Sequence, residues 1–107
     1  MVFTLALVAL GQLGRSRRRA WGKPVIGITG TNGKTSTKEL LRAALGSVLD
    51  VHATTGNLNN RVGVPLTLLG LPDPADVAVI EMGTSEPGEI GTLRAIAEPD
   101  IAVVSSV

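Results

Sequence analysis

The spacing of apolar residues changes several times along the chain, and each change marks an element. Met1–Leu10 is largely apolar, and Leu5, Val8 and Leu13 recur near helical spacing. Arg15, Arg17, Arg18 and Arg19 follow that run, where cations suit the negative end of a helix dipole. The pattern predicts an amphipathic helix with a solvated basic end. About ten apolar residues fall well short of the roughly 20 needed to cross a bilayer. A targeting signal fits poorly, because its charges precede the apolar stretch instead of following it. A helix lying on a membrane surface is the other alternative.

Beyond Trp21 the pattern becomes regular. Val25–Thr29 is a short apolar run between Pro24 and Gly30, which reads as a buried strand. The turn-rich segment Gly30-Thr31-Asn32-Gly33-Lys34 follows. From Thr35 to about Leu49, residues Leu40, Leu41, Ala44, Leu45 and Val48 keep i, i+3, i+4 spacing. They predict a helix with Lys38, Glu39 and Arg42 off its apolar face. Val51–Thr54 reads as a second strand and Gly56–Asn60 as a loop.

Val64–Leu71 predicts a short helix with Pro65 in its first turn, stopped by Pro72-Asp73-Pro74. Asp76–Glu81 is a strand ending in a carboxylate. Glu86-Pro87-Gly88-Glu89 opens a helix that buries Ile90, Leu93, Ile96 and Ala97, and Pro99 ends it. Asp100–Val107 is the last strand. Strands alternating with helices imply an α/β fold, a parallel sheet with flanking helices and right-handed crossovers.

Composition sharpens this picture. The 107 residues suit one domain, and 44% are hydrophobic with one Phe, one Trp and no Tyr. A core of branched aliphatics is what a sheet buried on both faces requires. The same aliphatic content, with a net charge of only +1, excludes disorder. Near-neutrality argues against nucleic-acid binding. With no cysteine there are neither disulfides nor thiolate metal sites. Ligands of open α/β sheets bind on the loops beyond the strands' carboxyl ends. The sequence stops at such an end and supplies few helices to cover the sheet, so it reads as a fragment of an incomplete domain.

The candidate chemistry lies in Gly30-Thr31-Asn32-Gly33-Lys34-Thr35. Between a strand and a helix, such a loop turns successive backbone N–H groups toward one point beside the positive end of the helix dipole. Lys34 can reach phosphate oxygens, and the Thr35 hydroxyl can ligate Mg²⁺. The general P-loop pattern has its first glycine where Ile28 stands, so the shorter Gly-x-x-Gly-Lys-Thr form depends on its strand–helix context. The bland alternative is a Gly-Asn turn with an ordinary surface lysine.

The stretch Ile28–Thr37, with Gly30, Thr31, Asn32, Gly33, Lys34, Thr35 and Ser36, resembles the ATP loop of the Mur ligases. Folylpolyglutamate synthases share that loop. Thr55–Leu69, with Asn57 and Asn60, and Val79–Thr84 followed by Pro87-Gly88-Glu89-Ile90, are similar to the branch of the family that adds D-alanyl-D-alanine. The resemblance runs from about Thr4 to Val107.

It implies an ATP-dependent, amide-forming ligase of peptidoglycan synthesis, joining UDP-N-acetylmuramoyl-tripeptide to D-Ala-D-Ala through an acyl phosphate. ATP and UDP-linked substrates imply a cytoplasmic location without membrane insertion. Residues 1–22 would then be the helix leading from a preceding domain, and 23–107 the first half of the central ATP-binding domain. The rest of the ligase chain is the expected partner, and this piece alone is expected to be inactive. Met1-Val2-Phe3 departs from the acidic approach expected before Thr4, which suggests an internal start codon or an arbitrary cut. Ser85-Glu86 replaces a common Asn-His, so those side chains are not expected to be essential.

The resemblance makes Lys34 and Glu81 catalytic, gives the loop amides to phosphate, and has Thr35 and Glu81 hold Mg²⁺. Otherwise Glu81 is a strand-end carboxylate facing water, or a cap for the next helix. Asn57 and Asn60 would contact phosphate or a substrate carboxylate, or else bond their own backbone. His52, within a strand-like run, reads as structural. Another Mur-type ligase with a different acceptor, and a non-catalytic nucleotide-binding module, are the competing readings.

Overall fold

The computed structural model describes residues 1–83 and 88–105. The expected helix opening at Glu86 and Pro87, together with Thr84, Ser85, Ser106 and Val107, lies outside the described residues. Helix α1 spans Val2–Trp21, and Gly22 in a left-handed conformation closes it. Strand β1, Val25–Gly30, leads into helix α2, Lys34–Gly46, and then strand β2, Val51–Ala53. Helix α3, Gly63–Leu69, precedes strand β3, Val77–Glu81. Helix α4, Glu89–Ala97, and strand β4, Ile101–Ser105, complete the described chain.

All strand pairings are parallel, in the order β2-β3-β1-β4. From β1 the chain crosses over β3 to reach β2, and from β3 it crosses over β1 to reach β4. Because right-handed crossovers in opposite directions put their helices on opposite faces, α2 covers one face. Helices α1, α3 and α4 pack together on the other.

Strand β3 is buried along its whole length and β1 through Val25, Gly27 and Ile28, as strands covered on both faces require, whereas β4 at the edge leaves Ile101 and Val104 exposed. Ile28, Ala53 and Val79 face α2, while Val25, Ala78, Ile80 and Met82 join Trp21, Leu68 and Leu93 on the opposite side. A fully buried Leu or Ile such as Leu68 or Ile80 contributes about 1.5–3 kcal/mol. Helix α1 approaches closely because it is smooth there: a Cβ on Gly14 would lie 2.8 Å from the Pro65 backbone.

Three expectations are corrected. Leu5, Val8 and Leu13 do not form the buried side of α1: they are exposed, and the helix packs through Gly11, Gly14, Arg18 and Trp21, where small residues let it approach its neighbours. The basic end of α1 is not a solvated run. Arg18 is buried and donates to the carbonyls of Ala97, Lys23 and Glu98 and to Asp100 Oδ2. Arg17 reaches Leu71 O and Asp73, and Arg19 pairs with Glu98. The third concerns α2. Leu40 and Val48 are 72% and 80% exposed, whereas Lys38 is only 3% exposed. The less exposed side of α2 is Lys34, Lys38, Leu41 and Leu45, spaced i, i+4, i+7, i+11, with Leu41 packed on Ile28, Ala53 and Val79.

Among the described residues, no helix is long and apolar enough to cross a membrane.

Candidate phosphate-binding site

The loop sits where opposite crossovers leave the sheet, the place at which open α/β folds form a crevice. On one side of β1, Ile28 is in register with Glu81 of β3; on the other, Gly30 is in register with Ser105 of β4. Gly30 has φ 132°, and a Cβ there would stand 1.6 Å from the Ser105 carbonyl oxygen. Only glycine fits between the two strands. Ser105 Oγ donates to Asn32 O at 2.7 Å, which ties the loop to β4.

Gly33, with φ 77°, turns the chain into α2. Among the described residues no side chain caps the start of α2, and its first turn holds no acidic residue. Its opening amides, Lys34, Thr35 and Ser36, are therefore left for an external acceptor, at the positive end of the dipole. Lys34 Nζ folds back to donate to Gly30 O at 2.6 Å, so the ammonium already lies over the loop.

Glu81 comes in beneath α2. It is 2% exposed, and Thr35 Oγ1 donates to its Oε1 at 3.4 Å. Its Oε2 lies 3.1 Å from Lys38 Nζ, in an ion pair whose angles miss hydrogen-bond geometry. Thr54 completes the cluster: its Oγ1 accepts from Glu81 N–H at 2.9 Å and its carbonyl from Lys38 Nζ at 2.8 Å. Thr35 Oγ1 and the buried Glu81 Oε1 form a hard oxygen pair at the start of α2, so these residues fit Mg²⁺.

The asparagine-rich loop divides. Asn59, which the sequence reading passed over, accepts from Gly83 N–H through its backbone carbonyl at 2.7 Å. A Cβ on Gly83 would lie 2.9 Å from Asn59 Nδ2 and 3.2 Å from Lys34 Cε, so Asn59, Gly83 and Lys34 converge. Asn60 turns inward locally, its Oδ1 accepting from Val62 and Gly63 N–H at the start of α3. Asn57 is exposed on the outer turn. His52 Nε2 lies 2.9 Å from Thr67 O and links β2 to α3.

Lys38 and Thr54 were also missed. The available signal for Lys38 was its place one helical turn after Lys34 and three residues before Leu41. A separate cleft of about 240 Å³ lies between α1 and α4, and no residue of the phosphate loop lines it.

A strand–glycine loop–helix unit at a sheet switch point, with lysine and a hydroxyl opening the helix, defines a phosphate-loop α/β domain. The chain belongs to the Mur ligase family, with residues 28–107 matching the Mur ligase middle domain. It is 48% identical over 101 residues to the UDP-N-acetylmuramoyl-tripeptide--D-alanyl-D-alanine ligase of Bacillus subtilis, covering 94% of this chain and 22% of that protein. The Escherichia coli ligase of the same name is 40% identical over 100 residues, with 94% and 22% covered.

Among solved structures, a crystal structure of MurF from Acinetobacter baumannii aligns with TM-score 0.89 and 42% identity, covering 92% of this chain and 22% of that one. MurF ligase from Thermotoga maritima in complex with ADP aligns with TM-score 0.86 and 39% identity, covering 94% and 24%. The chain thus spans about a fifth of the length of these relatives.

Proposed function

We propose that this chain carries the phosphate-handling part of an ATP-dependent ligase that joins UDP-N-acetylmuramoyl-tripeptide to D-Ala-D-Ala. The observation that carries it is the uncapped start of α2, with Lys34 above it and the Thr35–Glu81 pair beside it. The substrates follow from the printed names of the relatives at 40–48% identity. In this reading residues 1–22 lead from a preceding domain and 23–107 form the first half of the central ATP-binding domain. The remainder of a longer ligase chain supplies the other subsites, and ATP with a UDP-linked substrate favours a cytoplasmic setting.

In the reaction, a carboxylate oxygen of the tripeptide attacks the γ-phosphorus of ATP. The bond to the bridging oxygen breaks and ADP leaves. The amine of D-Ala-D-Ala then attacks the acyl phosphate carbon, loses a proton and expels phosphate as the amide forms. Charge spreads over the transferring phosphoryl oxygens, so positioned cations and amides supply most of the acceleration.

The amides of Lys34, Thr35 and Ser36 hold phosphate oxygens. Lys34 exchanges its Gly30 carbonyl for the oxygens of the transferring group. Thr35 Oγ1 and Glu81 Oε1 would hold Mg²⁺, which when bound neutralises developing charge on the phosphates. Asn59 and Gly83 lie beside the Lys34 stem. Asn57 remains a candidate for substrate contact, and Asn60 for contact through its amide nitrogen.

Turnover of the full-length protein, read as UDP-linked pentapeptide formed against Mg²⁺ concentration at saturating ATP, tests the assignment. Lys34→Ala should lose about 10³-fold, as removal of a group stabilising transition-state charge does, with no recovery on added Mg²⁺. Glu81→Gln and Thr35→Val should lose activity that recovers as Mg²⁺ rises, because mass action refills a weakened site. If Glu81→Gln matches the unaltered protein at every Mg²⁺ level, Glu81 is only a strand-end carboxylate.

A further inference from the structure

The buried lysine of α2 faces the carboxylate that the proposed function gives to the metal. Lys38 Nζ lies 2.8 Å from Thr54 O, 3.1 Å from Glu81 Oε2 and 3.4 Å from Glu39 Oε2. The Lys38 and Glu81 side chains are only 4% and 2% exposed. An ion pair this deep is not a loose surface contact: either partner without the other is an uncompensated interior charge. The pair also divides the work of Glu81. Oε2 is turned to Lys38, while Oε1 is turned to Thr35.

The charges around Thr35 set the terms for a divalent ion. Glu81 brings one buried negative charge and the half-exposed Glu39 a second, and Lys38 lies 3.1 Å from the first and 3.4 Å from the second. Lys34 adds a second positive charge over the same loop. Among the described residues, no group of three or more His, Cys, Asp or Glu could hold a metal ion. Mg²⁺ gives up water reluctantly and is commonly bound by one or two carboxylates together with substrate phosphates. With Glu81 the one buried carboxylate among the described residues, and that one paired with Lys38, the site is too poor in negative charge to take the ion by itself.

We propose that Lys38 is the resident counter-cation of Glu81, and that it makes divalent-ion binding here depend on the phosphates of the nucleotide. The inference rests on the reading of Glu81 as a metal ligand. Its consequence is an order of events: the ion enters with the nucleotide, whose phosphates supply the negative charge that Lys38 has cancelled. Thr54 is the positioning residue, because one side chain and its carbonyl fix both the Glu81 backbone and the Lys38 ammonium.

Mn²⁺ binding to the full-length protein, followed by the paramagnetic resonance of the free ion, tests this without reference to turnover. The unaltered protein should take up Mn²⁺ with ADP present and show no uptake at sub-millimolar Mn²⁺ without it. Lys38→Met removes the ammonium and keeps an apolar stem. It should gain nucleotide-free binding by roughly tenfold or more, the effect of one unit charge on a divalent ion about 5 Å away even at the dielectric of bulk water.

Lys38→Arg keeps the charge and should stay like the unaltered protein, and the Lys38→Met/Glu81→Gln double variant should lose the gain. Sub-millimolar binding by the unaltered protein without nucleotide overturns the proposal, and that comparison stands even if Lys38→Met does not fold. No gain in Lys38→Met, or a gain that survives in the double variant, overturns it equally. If Glu81→Gln leaves Mn²⁺ uptake with ADP unchanged, the metal site itself is wrong. If Glu81→Gln weakens that uptake while Lys38→Met gains nothing, only the role of Lys38 fails.

Discussion

Replacing Arg18 should cost this chain a large part of its stability, although a basic residue near a helix end is usually expendable. The guanidinium donates to Ala97 O at 3.0 Å, Lys23 O at 2.9 Å, Glu98 O at 2.8 Å and Asp100 Oδ2 at 2.9 Å. Ala97 O and Glu98 O stand at the carboxyl end of α4, where helix carbonyls lack partners of their own. Arg18 therefore caps α4 from another element and joins α1 to both β1 and the entry to β4.

Arg18→Met keeps most of the buried stem and removes every donor. A buried carbonyl left without a partner costs about 1–3 kcal/mol, and each partly buried bond about 0.5–1.5 kcal/mol. The Asp100 side chain is 55% exposed, so its ion pair adds little beyond the hydrogen bond. One buried carbonyl and three partly buried bonds, the one to the half-exposed Asp100 discounted, sum to about 4 kcal/mol, where a complete domain has about 5–15 kcal/mol in total. With a urea m-value of about 2 kcal/mol per molar, the unfolding midpoint should fall by about 2 M. Arg18→Lys should recover less than half, because one ammonium cannot span four acceptors held in a planar fork. Urea titration followed by far-UV dichroism reads both variants. A midpoint shift below about 0.5 M for Arg18→Met would mean that the guanidinium is in effect solvated.

Two other outcomes follow from the same contacts. Gly30→Ala would place a Cβ 1.6 Å from Ser105 O, so the loop and the end of β4 must separate; ADP affinity, read by calorimetry, should fall at least about tenfold, and unchanged affinity would refute the close approach. The Val25 amide, with the Arg18 guanidinium, holds the Asp100 carboxyl below its ordinary value of 3.8. Its stabilisation is complete above that value and is lost as the pH falls through the depressed folded value. Asp100→Asn should be less stable than the unaltered chain at neutral pH, with the gap in urea midpoint closing on acidification below about pH 4; a gap that stays constant would show that the carboxylate charge contributes nothing.

The sequence by itself determined the order and kind of the elements and the place of the phosphate loop. These are local matters. A run of apolar residues between Pro24 and Gly30 has few states other than a buried strand, and Gly33 followed by Lys34 and Thr35 sets a turn into a helix start within five residues. Strand ends at Ala53 and Glu81 and the short helix around Pro65 were legible for the same reason, to within a few residues. Tertiary structure alone decided the neighbours. Period can show that Asp76–Glu81 is a strand, but only the order β2-β3-β1-β4 sets it beside β1 and brings Glu81 to Thr35. Helical spacing marked Leu40 and Val48 as core and Lys38 as surface, because it measures the apolar side of a helix without knowing what lies against it. The carboxyl end of the sheet offered that helix a carboxylate and a carbonyl, so the side that packed was the one carrying Lys38. Arg18 is the same case: its acceptors belong to Lys23, Ala97, Glu98 and Asp100. A buried cation is stable only where distant segments bring enough oxygen atoms together to replace water, and that convergence exists only once the chain has folded.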